Sequence, residues 1–170
     1  MAADFRKTDR RWETKIVLED WSSFFGNPVE VNVILGGDKK VETVQDKHLH
    51  TFEYLKNNQK QILKSILEKI FSEYKNLQEQ YGYDEYDKPE YMPDIDSTEE
   101  LRDLIDLLRV YILNVEKNNL CYIGFEFACK WDDEHGLGFM THETKIVEMG
   151  DTDSAFCSWI AEEDCKNENE

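Results

Sequence analysis

The longest run of apolar residues at every second position in this chain lies in Leu120-Cys-Tyr-Ile-Gly-Phe-Glu-Phe-Ala-Cys-Lys-Trp131. In an extended chain, successive side chains point to opposite faces, so every second residue here contributes to one uninterrupted apolar face. The members of this face are Cys121, Ile123, Phe125, Phe127, Cys129 and Trp131. We therefore predict a strand over Leu120–Lys130 whose apolar face is covered by other elements of the chain.

Shorter segments with the same alternation predict the remaining strands. Val29–Leu35 places valine and leucine on one side and ends at a pair of glycines, while Trp12–Leu18 predicts a more exposed strand. Further strands are expected around Val110–Val115, Phe139–Thr141 and Lys145–Met149. This succession of strands in the C-terminal half indicates an antiparallel sheet.

Two segments have apolar residues at helical spacing. Gln59–Gln80 predicts a long helix with a broad apolar face, and Thr43–Lys56 predicts a helix before it, with Asn57-Asn58 as the interruption. Ser97-Thr-Glu-Glu100 has the spacing of a capping box that starts a short helix, and a final helix is expected over Ser154–Glu162. The elements together predict an α+β fold, in which an antiparallel sheet of about five to six strands carries an α-helical pair on one face.

The length of 170 residues predicts one domain. We expect a single α+β domain over residues 1–163, with a long acidic loop at 81–97 and a frayed tail at 164–170. The opening residues do not form a signal peptide, and no window holds the roughly 18 consecutive apolar residues that cross a bilayer. The four cysteines form no CxxC pair and are expected to be free thiols. These features predict a soluble, cytoplasmic protein.

Acidic residues dominate the charge of the chain. Asp and Glu number 37 against 20 Lys and Arg, which gives a formal net charge of −17. This balance repels nucleic-acid backbones and anionic lipid, so we expect neither a nucleic-acid nor a membrane partner. Residues 1–80 carry 13 acidic and 13 basic residues, and all of the excess therefore lies after residue 80. A partner is expected to bind in that acidic part of the chain.

The densest polar feature is the segment Trp131-Asp-Asp-Glu-His-Gly-Leu-Gly138, for which three interpretations remain open. Its polar side chains can hold a tight turn between two strands, its carboxylates can belong to a partner-binding surface, or it can supply a hard-cation or acid–base site. The candidate metal ligands are Asp132, Glu134, His135 and Asp153. No EF-hand loop, H-E-x-x-H pair or glycine-rich phosphate loop is present.

The acidic loop at 81–97 combines tyrosines with carboxylates. Tyrosine offers rigid contact area and negative charge selects basic partners, so this composition suits a protein-binding surface. The alternative is a solvated loop whose tyrosines pack locally. The candidate partner-binding residues are Tyr83, Asp84, Glu85, Tyr86, Tyr91, Asp132, Asp133 and Glu134.

The segment Ile123–Gly138 resembles an uncharacterised bacterial cytoplasmic family with the signature W-D-x-E-H-G-x-G, and Val147–Phe156 is similar to a second segment of that family. The motif is matched at Trp131, Asp132, Glu134, His135, Gly136, Gly138, Gly150 and Asp153. The family has no established activity, but its members are similar in kind to the immunity proteins that accompany polymorphic toxins. The resemblance implies a protein that occludes a toxin by binding it.

We therefore expect a protein-binding module, immunity-like or antitoxin-like, whose partner is a basic protein such as a toxin. No cofactor is expected, and a non-enzymatic role is favoured. One alternative is a metal-dependent enzyme or cation-binding protein that uses the Asp132, Glu134, His135 and Asp153 cluster. The other is a purely structural domain that captures no partner.

Overall fold

A computed structural model of the chain describes residues 3–167. Its centre is a seven-stranded sheet in which the strands lie side by side in chain order. The strands are β1 (Arg6–Lys7), β2 (Trp12–Val17), β3 (Glu30–Leu35), β4 (Ile105–Lys117), β5 (Leu120–Cys129), β6 (Leu137–His142) and β7 (Lys145–Gly150). Neighbouring strands are antiparallel except β3 and β4, which are parallel.

Helices connect and cover the strands. They are α1 (Glu19–Phe25), α2 (Asp46–Tyr81), α3 (Lys88–Tyr91) and α4 (Ser158–Asn167), with 3₁₀ helices at Thr98–Asp103 and Thr152–Ala155. Helix α2 lies in the long connection that the parallel pair β3 and β4 requires. Within residues 3–167, no helix is long and apolar enough to cross a membrane.

Helix α2 is continuous over 36 residues, so the interruption predicted at Asn57-Asn58 is wrong. The Asn58 side chain donates a 2.9 Å hydrogen bond to the carbonyl of Tyr54 one turn earlier, which accommodates the polar pair within the helix. The next residue, Gln59, is buried, and its carbonyl accepts the indole N–H of Trp21 at 2.9 Å, which attaches α1 to α2. The two helices predicted over Thr43–Lys56 and Gln59–Gln80 are therefore one helix, α2, and α1 packs beside it on this face of the sheet.

Both faces of the central strands are covered. The predicted apolar face of β5 is confirmed, and on it Trp21 stacks against Phe125 and Phe127 with ring centroids 5.4 and 6.0 Å apart. On the opposite face, Tyr122 and Met140 belong to a second apolar cluster that also contains residues of α4. Because β5 is covered on both sides, nearly every one of its side chains is buried.

The predicted α+β class is confirmed, and the strand count is seven rather than five to six. The additional strand is β1, whose two residues are too few to show an alternation. The capping box at Ser97 and Glu100 is present, although the helix it starts is 3₁₀. The acidic loop at 81–97 contains α3. Helix α4 continues through residues 164–167 of the predicted tail, and residues 168–170 lie outside the described part of the chain.

Candidate functional site

The turn between β5 and β6 is organised by the carboxylate of Asp132. Its Oδ1 accepts a hydrogen bond from the backbone N–H of His135 at 3.0 Å and lies 3.1 Å from His135 Nδ1. The Asp132 carbonyl accepts the N–H of Gly136, also at 3.0 Å, and Gly136 has a φ of +61° that favours glycine. These contacts support the interpretation of the segment as a structural turn.

Two tyrosine hydroxyls attach the acidic loop to this turn. Tyr81 donates to Asp132 Oδ2 and Tyr83 donates to the carbonyl of Trp131, each at 2.6 Å. The rings of Tyr81 and Tyr83 stack with centroids 6.4 Å apart, and Tyr83 stacks on Tyr91 at 5.5 Å. The two segments singled out from the sequence, some fifty residues apart, therefore form one surface.

The contacts of Asp132 also shift the pKa values of two groups in the turn, Asp132 and His135. Burial would raise the pKa of the Asp132 carboxyl, but hydrogen bonds from Tyr81 and His135 outweigh burial and hold that pKa below its ordinary value. The hydrogen bond to Asp132 and then the Asp132 charge raise the pKa of His135. Asp132 is thus an ionised acceptor at neutral pH, consistent with its structural contacts on both sides.

Several carboxylates around the tyrosines remain available to a partner. Glu85, Asp133 and Glu134 are exposed, and none of them forms an ion pair within residues 3–167. Asp84 instead accepts the backbone N–H groups of Tyr86 and Asp87, which shapes the tip of the loop. The Tyr86 side chain is 91% exposed. We call Tyr81, Tyr83, Tyr86 and Tyr91, together with Asp84, Glu85, Asp132, Asp133 and Glu134, the tyrosine-acid surface.

A shallow depression lies within this surface. Tyr83, Tyr91, Cys129 and Asp133 line it together with Glu90 and Lys130, and its volume is about 430 Å³. Tyr83 and Tyr91 are half-buried, whereas Asp133 is exposed at the rim. The structure thus places three of the eight predicted partner-binding residues around one concave feature.

Of the four predicted metal ligands, Asp132 and His135 are in contact, but Glu134 and Asp153 do not join them in one cluster within residues 3–167. Glu134 is exposed. The backbone carbonyl of Asp153 accepts hydrogen bonds from the N–H groups of Phe156 and Cys157. Across residues 3–167, no group of three or more His, Cys, Asp or Glu side chains is placed to hold a metal ion. The predicted free thiols Cys121 and Cys129 are buried and unbridged.

Gly138 of the motif and Gly124 of the preceding strand give the 3₁₀ helix Thr152–Ala155 room to pack on the sheet. A Cβ added to Gly138 would lie 2.3 Å from the Asp151 carbonyl oxygen, and one on Gly124 would lie 1.6 Å from that of Ala155. The N–H of Thr152 donates to the carbonyl of His135 at 2.9 Å. The two halves of the sequence motif are therefore one packed unit.

Comparison with known families accounts for most of this chain. The model of a domain of unknown function, DUF6985, matches residues 5–156, which include every element from β1 to the Thr152–Ala155 helix. The chain belongs to the DUF6985 family. No curated protein and no solved structure matches it. The turn at Asp132 and the tyrosines that bind it lie inside the matched part of this DUF6985 member.

Sequence reasoning missed one feature of this DUF6985 domain, a groove of about 530 Å³ between α2 and β7. Its apolar lining includes Leu77, Leu137 and Met149, and Tyr81 lies between the groove and the turn at Asp132. The residues come from separate elements that share no motif. Only the packing of α2 over the outermost strand creates the groove.

Proposed function

We propose that this protein is a protein-binding module whose tyrosine-acid surface captures a basic protein. The observation that carries the proposal is the pair of hydrogen bonds from Tyr81 and Tyr83 to the turn at Asp132 and Trp131. These bonds attach the stacked rings of Tyr81, Tyr83 and Tyr91 to the turn that carries the exposed carboxylates of Asp133 and Glu134. The surface is therefore ordered in the absence of a partner. A surface that is already ordered loses less conformational entropy on binding.

The chemistry of the surface favours a partner rich in Lys and Arg. Tyrosines bury large areas while ordering few rotatable bonds, and arginine stacks on their rings or pairs with carboxylates. The net charge of −17 accelerates encounter with a basic protein and disfavours acidic competitors. Glu85, Asp133 and Glu134 supply the exposed charges for this recognition.

The proposal includes an immunity-like role in a bacterial cytoplasm. Toxins that attack nucleic acid need a positively charged surface to bind the phosphate backbone. An acidic partner that covers such a surface blocks access of the substrate without any chemical step. The partner we propose is therefore a basic toxin, and the inhibitory act is occlusion.

Charge reversal tests the surface while leaving Asp132 and its turn intact. In the variant Glu85→Lys/Asp133→Lys/Glu134→Lys, we expect capture of the partner from a lysate of the native host to be lost. The control variant, Asp9→Lys/Asp103→Lys/Asp106→Lys, changes net charge equally at exposed positions outside the surface and is expected to keep the partner. Association rates at two ionic strengths then measure steering, and the wild-type rate is expected to fall as salt rises. Equal capture by both variants would contradict the assignment of the surface.

A further inference from the structure

The outer edge of β7 is an open strand edge. Strand β7 pairs with β6 on one side, and within residues 3–167 no strand pairs with its other side. Proteins usually protect such edges by shortness or by charge, and the opposite edge shows both, because β1 consists of only Arg6 and Lys7. Strand β7 has six residues, and its centre is Ile146-Val-Glu-Met149. It also carries Lys145 and Glu148 and shifts register against β6, so its edge has some protection, but it is longer and more apolar than β1.

The groove beneath α2 extends along this edge. Six consecutive residues, Ile146–Asp151, line it. The pairing of β7 with β6 shifts register between Thr141, opposite Ile146, and Met140, opposite Glu148, so Val147 has no partner on β6. The groove runs along nearly the whole length of β7, and within residues 3–167 no strand pairs with the outer backbone edge of β7. Leu77 and Tyr81 of α2 line the groove on the helix side. An extended peptide beside β7 could pair with the open backbone edge of this strand, and those of its side chains that point toward α2 would enter the groove.

The two faces of β7 differ in chemistry at this edge. Ile146 and Met149 pack with the apolar cluster under α2. Glu148 lies opposite Met140, which belongs to the cluster on the other face, and directly opposed residues of an antiparallel pair share a face. An added strand would meet apolar groups on the α2 side, and Val147 together with the Glu148 carboxylate on the other. The matching sequence alternates apolar and basic residues.

We propose that an extended segment of the basic partner, with alternating apolar and basic residues, adds to β7 as an eighth strand. This inference rests on the proposed function and specifies how the partner is held. Tyr81 connects the two sites, since it lines the groove and binds Asp132. Backbone pairing provides affinity in such complexes, and the pockets for alternate side chains provide specificity.

Charge argues against a second copy of this chain as the added strand. Each copy would bring a net charge of −17, and Lys69 is the one basic residue that lines the groove within the described part of the chain. Lys69 at the groove already pairs with Glu73 at 3.5 Å, whereas Glu148 and Asp151 form no ion pair within the described residues. A basic segment relieves this charge, while a second acidic protein adds to it.

Three synthetic heptapeptides test strand addition to the full chain. The probe is Lys-Val-Lys-Val-Lys-Val-Lys, the charge control is Glu-Val-Glu-Val-Glu-Val-Glu, and the backbone control is the first peptide N-methylated at its two central residues. In amide NMR spectra of the ¹⁵N-labelled protein, we expect the probe to shift the signals of Lys145–Asp151 and slow their hydrogen exchange. Removal of the backbone donors should weaken binding at least about tenfold, and the acidic peptide should not bind.

Reversing the charge of Glu148 tests whether this residue selects the basic peptide. We expect Glu148→Lys to weaken the basic probe and to admit the acidic peptide, while Asp103→Lys, an equal change at an exposed position outside the groove, leaves both affinities as in the wild type. Shifts confined to the tyrosine-acid surface, equal binding of the N-methylated probe, or no binding would overturn strand addition. Concentration-dependent protection of β7 without peptide would overturn it in favour of a second copy.

These outcomes are separable from a failure of the proposed function. If charge reversal at Glu85, Asp133 and Glu134 abolishes capture of the native partner while the probe leaves β7 unchanged, strand addition is wrong and the proposed function stands. If the probe pairs with β7 but charge reversal leaves capture intact, the tyrosine-acid surface is the assignment that fails, and strand pairing is supported.

Discussion

The hydroxyl of Tyr81 donates a 2.6 Å hydrogen bond to Oδ2 of Asp132, a residue 51 positions later in the chain. Tyr81 is the last residue of α2, and Asp132 begins the turn between β5 and β6. Because Asp132 also accepts from His135, one carboxylate connects the end of the long helix to the folded turn. The acidic loop at 81–97 therefore starts from a fixed point on the sheet.

Loss of this hydrogen bond should destabilise the fold measurably. We expect Tyr81→Phe to lower the free energy of unfolding by about 1 kcal/mol, since the acceptor is charged but the site is partly open to water. Tyr86→Phe is the matched control and should have no effect, because Tyr86 is 91% exposed. Urea denaturation measures both variants. Together with Asp132→Asn, Tyr81→Phe should cost less than the sum of the two single changes, and strict additivity would show that the two side chains do not interact.

The stability provided by the pair of His135 and Asp132 should depend on pH. The raised pKa of His135 means that its contribution is full below the ordinary histidine pKa of about 6.5 and is lost as pH rises through the raised value. The lowered pKa of Asp132 means that its contribution is present above about pH 3.9 and is lost as pH falls through the lowered value. Both contributions are present between these limits.

The melting temperature of His135→Gln is therefore expected to fall further below wild type at pH 5.5 than at pH 9. An NMR titration of the His135 ring supplies the direct measurement. Its midpoint should move down in Asp132→Asn and stay near the wild-type value in Asp133→Asn, because Asp133 makes no hydrogen bond to the ring. A difference in melting temperature that is constant with pH would contradict this coupling.

Gly124 is where the second half of the motif packs closest to the sheet. We expect Gly124→Ala to cost about 3 kcal/mol of unfolding free energy, since its Cβ would lie 1.6 Å from the carbonyl oxygen of Ala155 and the 3₁₀ helix would have to move. Gly82→Ala is the control, because its Cβ would meet nothing closer than 3.9 Å and only its left-handed φ of +59° is strained, at about 1 kcal/mol. Urea denaturation compares the two, and equal losses would refute the packing argument.

The four thiols should fall into two classes. Burial raises the pKa of Cys121 to about 11 and that of Cys129 to about 12, and both side chains are enclosed in the core. Cys157 and Cys165 are only half-buried. Because the thiolate is the reactive form, N-ethylmaleimide at pH 8 should modify the native core thiols at least about a hundredfold more slowly than the half-buried ones. Peptide mass spectrometry identifies the modified residues, and urea should abolish the difference. Equal rates in the native protein would contradict the burial of β5.

The sequence predicted the features that depend on local periodicity. The alternation in Leu120–Lys130 identified the central strand and its buried face, and the spacing of Ser97 and Glu100 identified a helix start. The same reasoning failed at Asn57-Asn58, because one intrahelical hydrogen bond from Asn58 accommodates the pair. It also missed β1, where two residues carry no period.

The α+β class, the apolar face of β5 and the position of the excess charge follow from the residue order, because alternation and charge can be read from residues that are neighbours in the chain. Only the tertiary structure decided that Tyr81 reaches Asp132, that Gly124 admits Ala155, and that α2 and β7 enclose a groove. These relationships depend on where a 36-residue helix ends over the sheet. That position is set by the packing of many apolar side chains at once, and no local pattern encodes it.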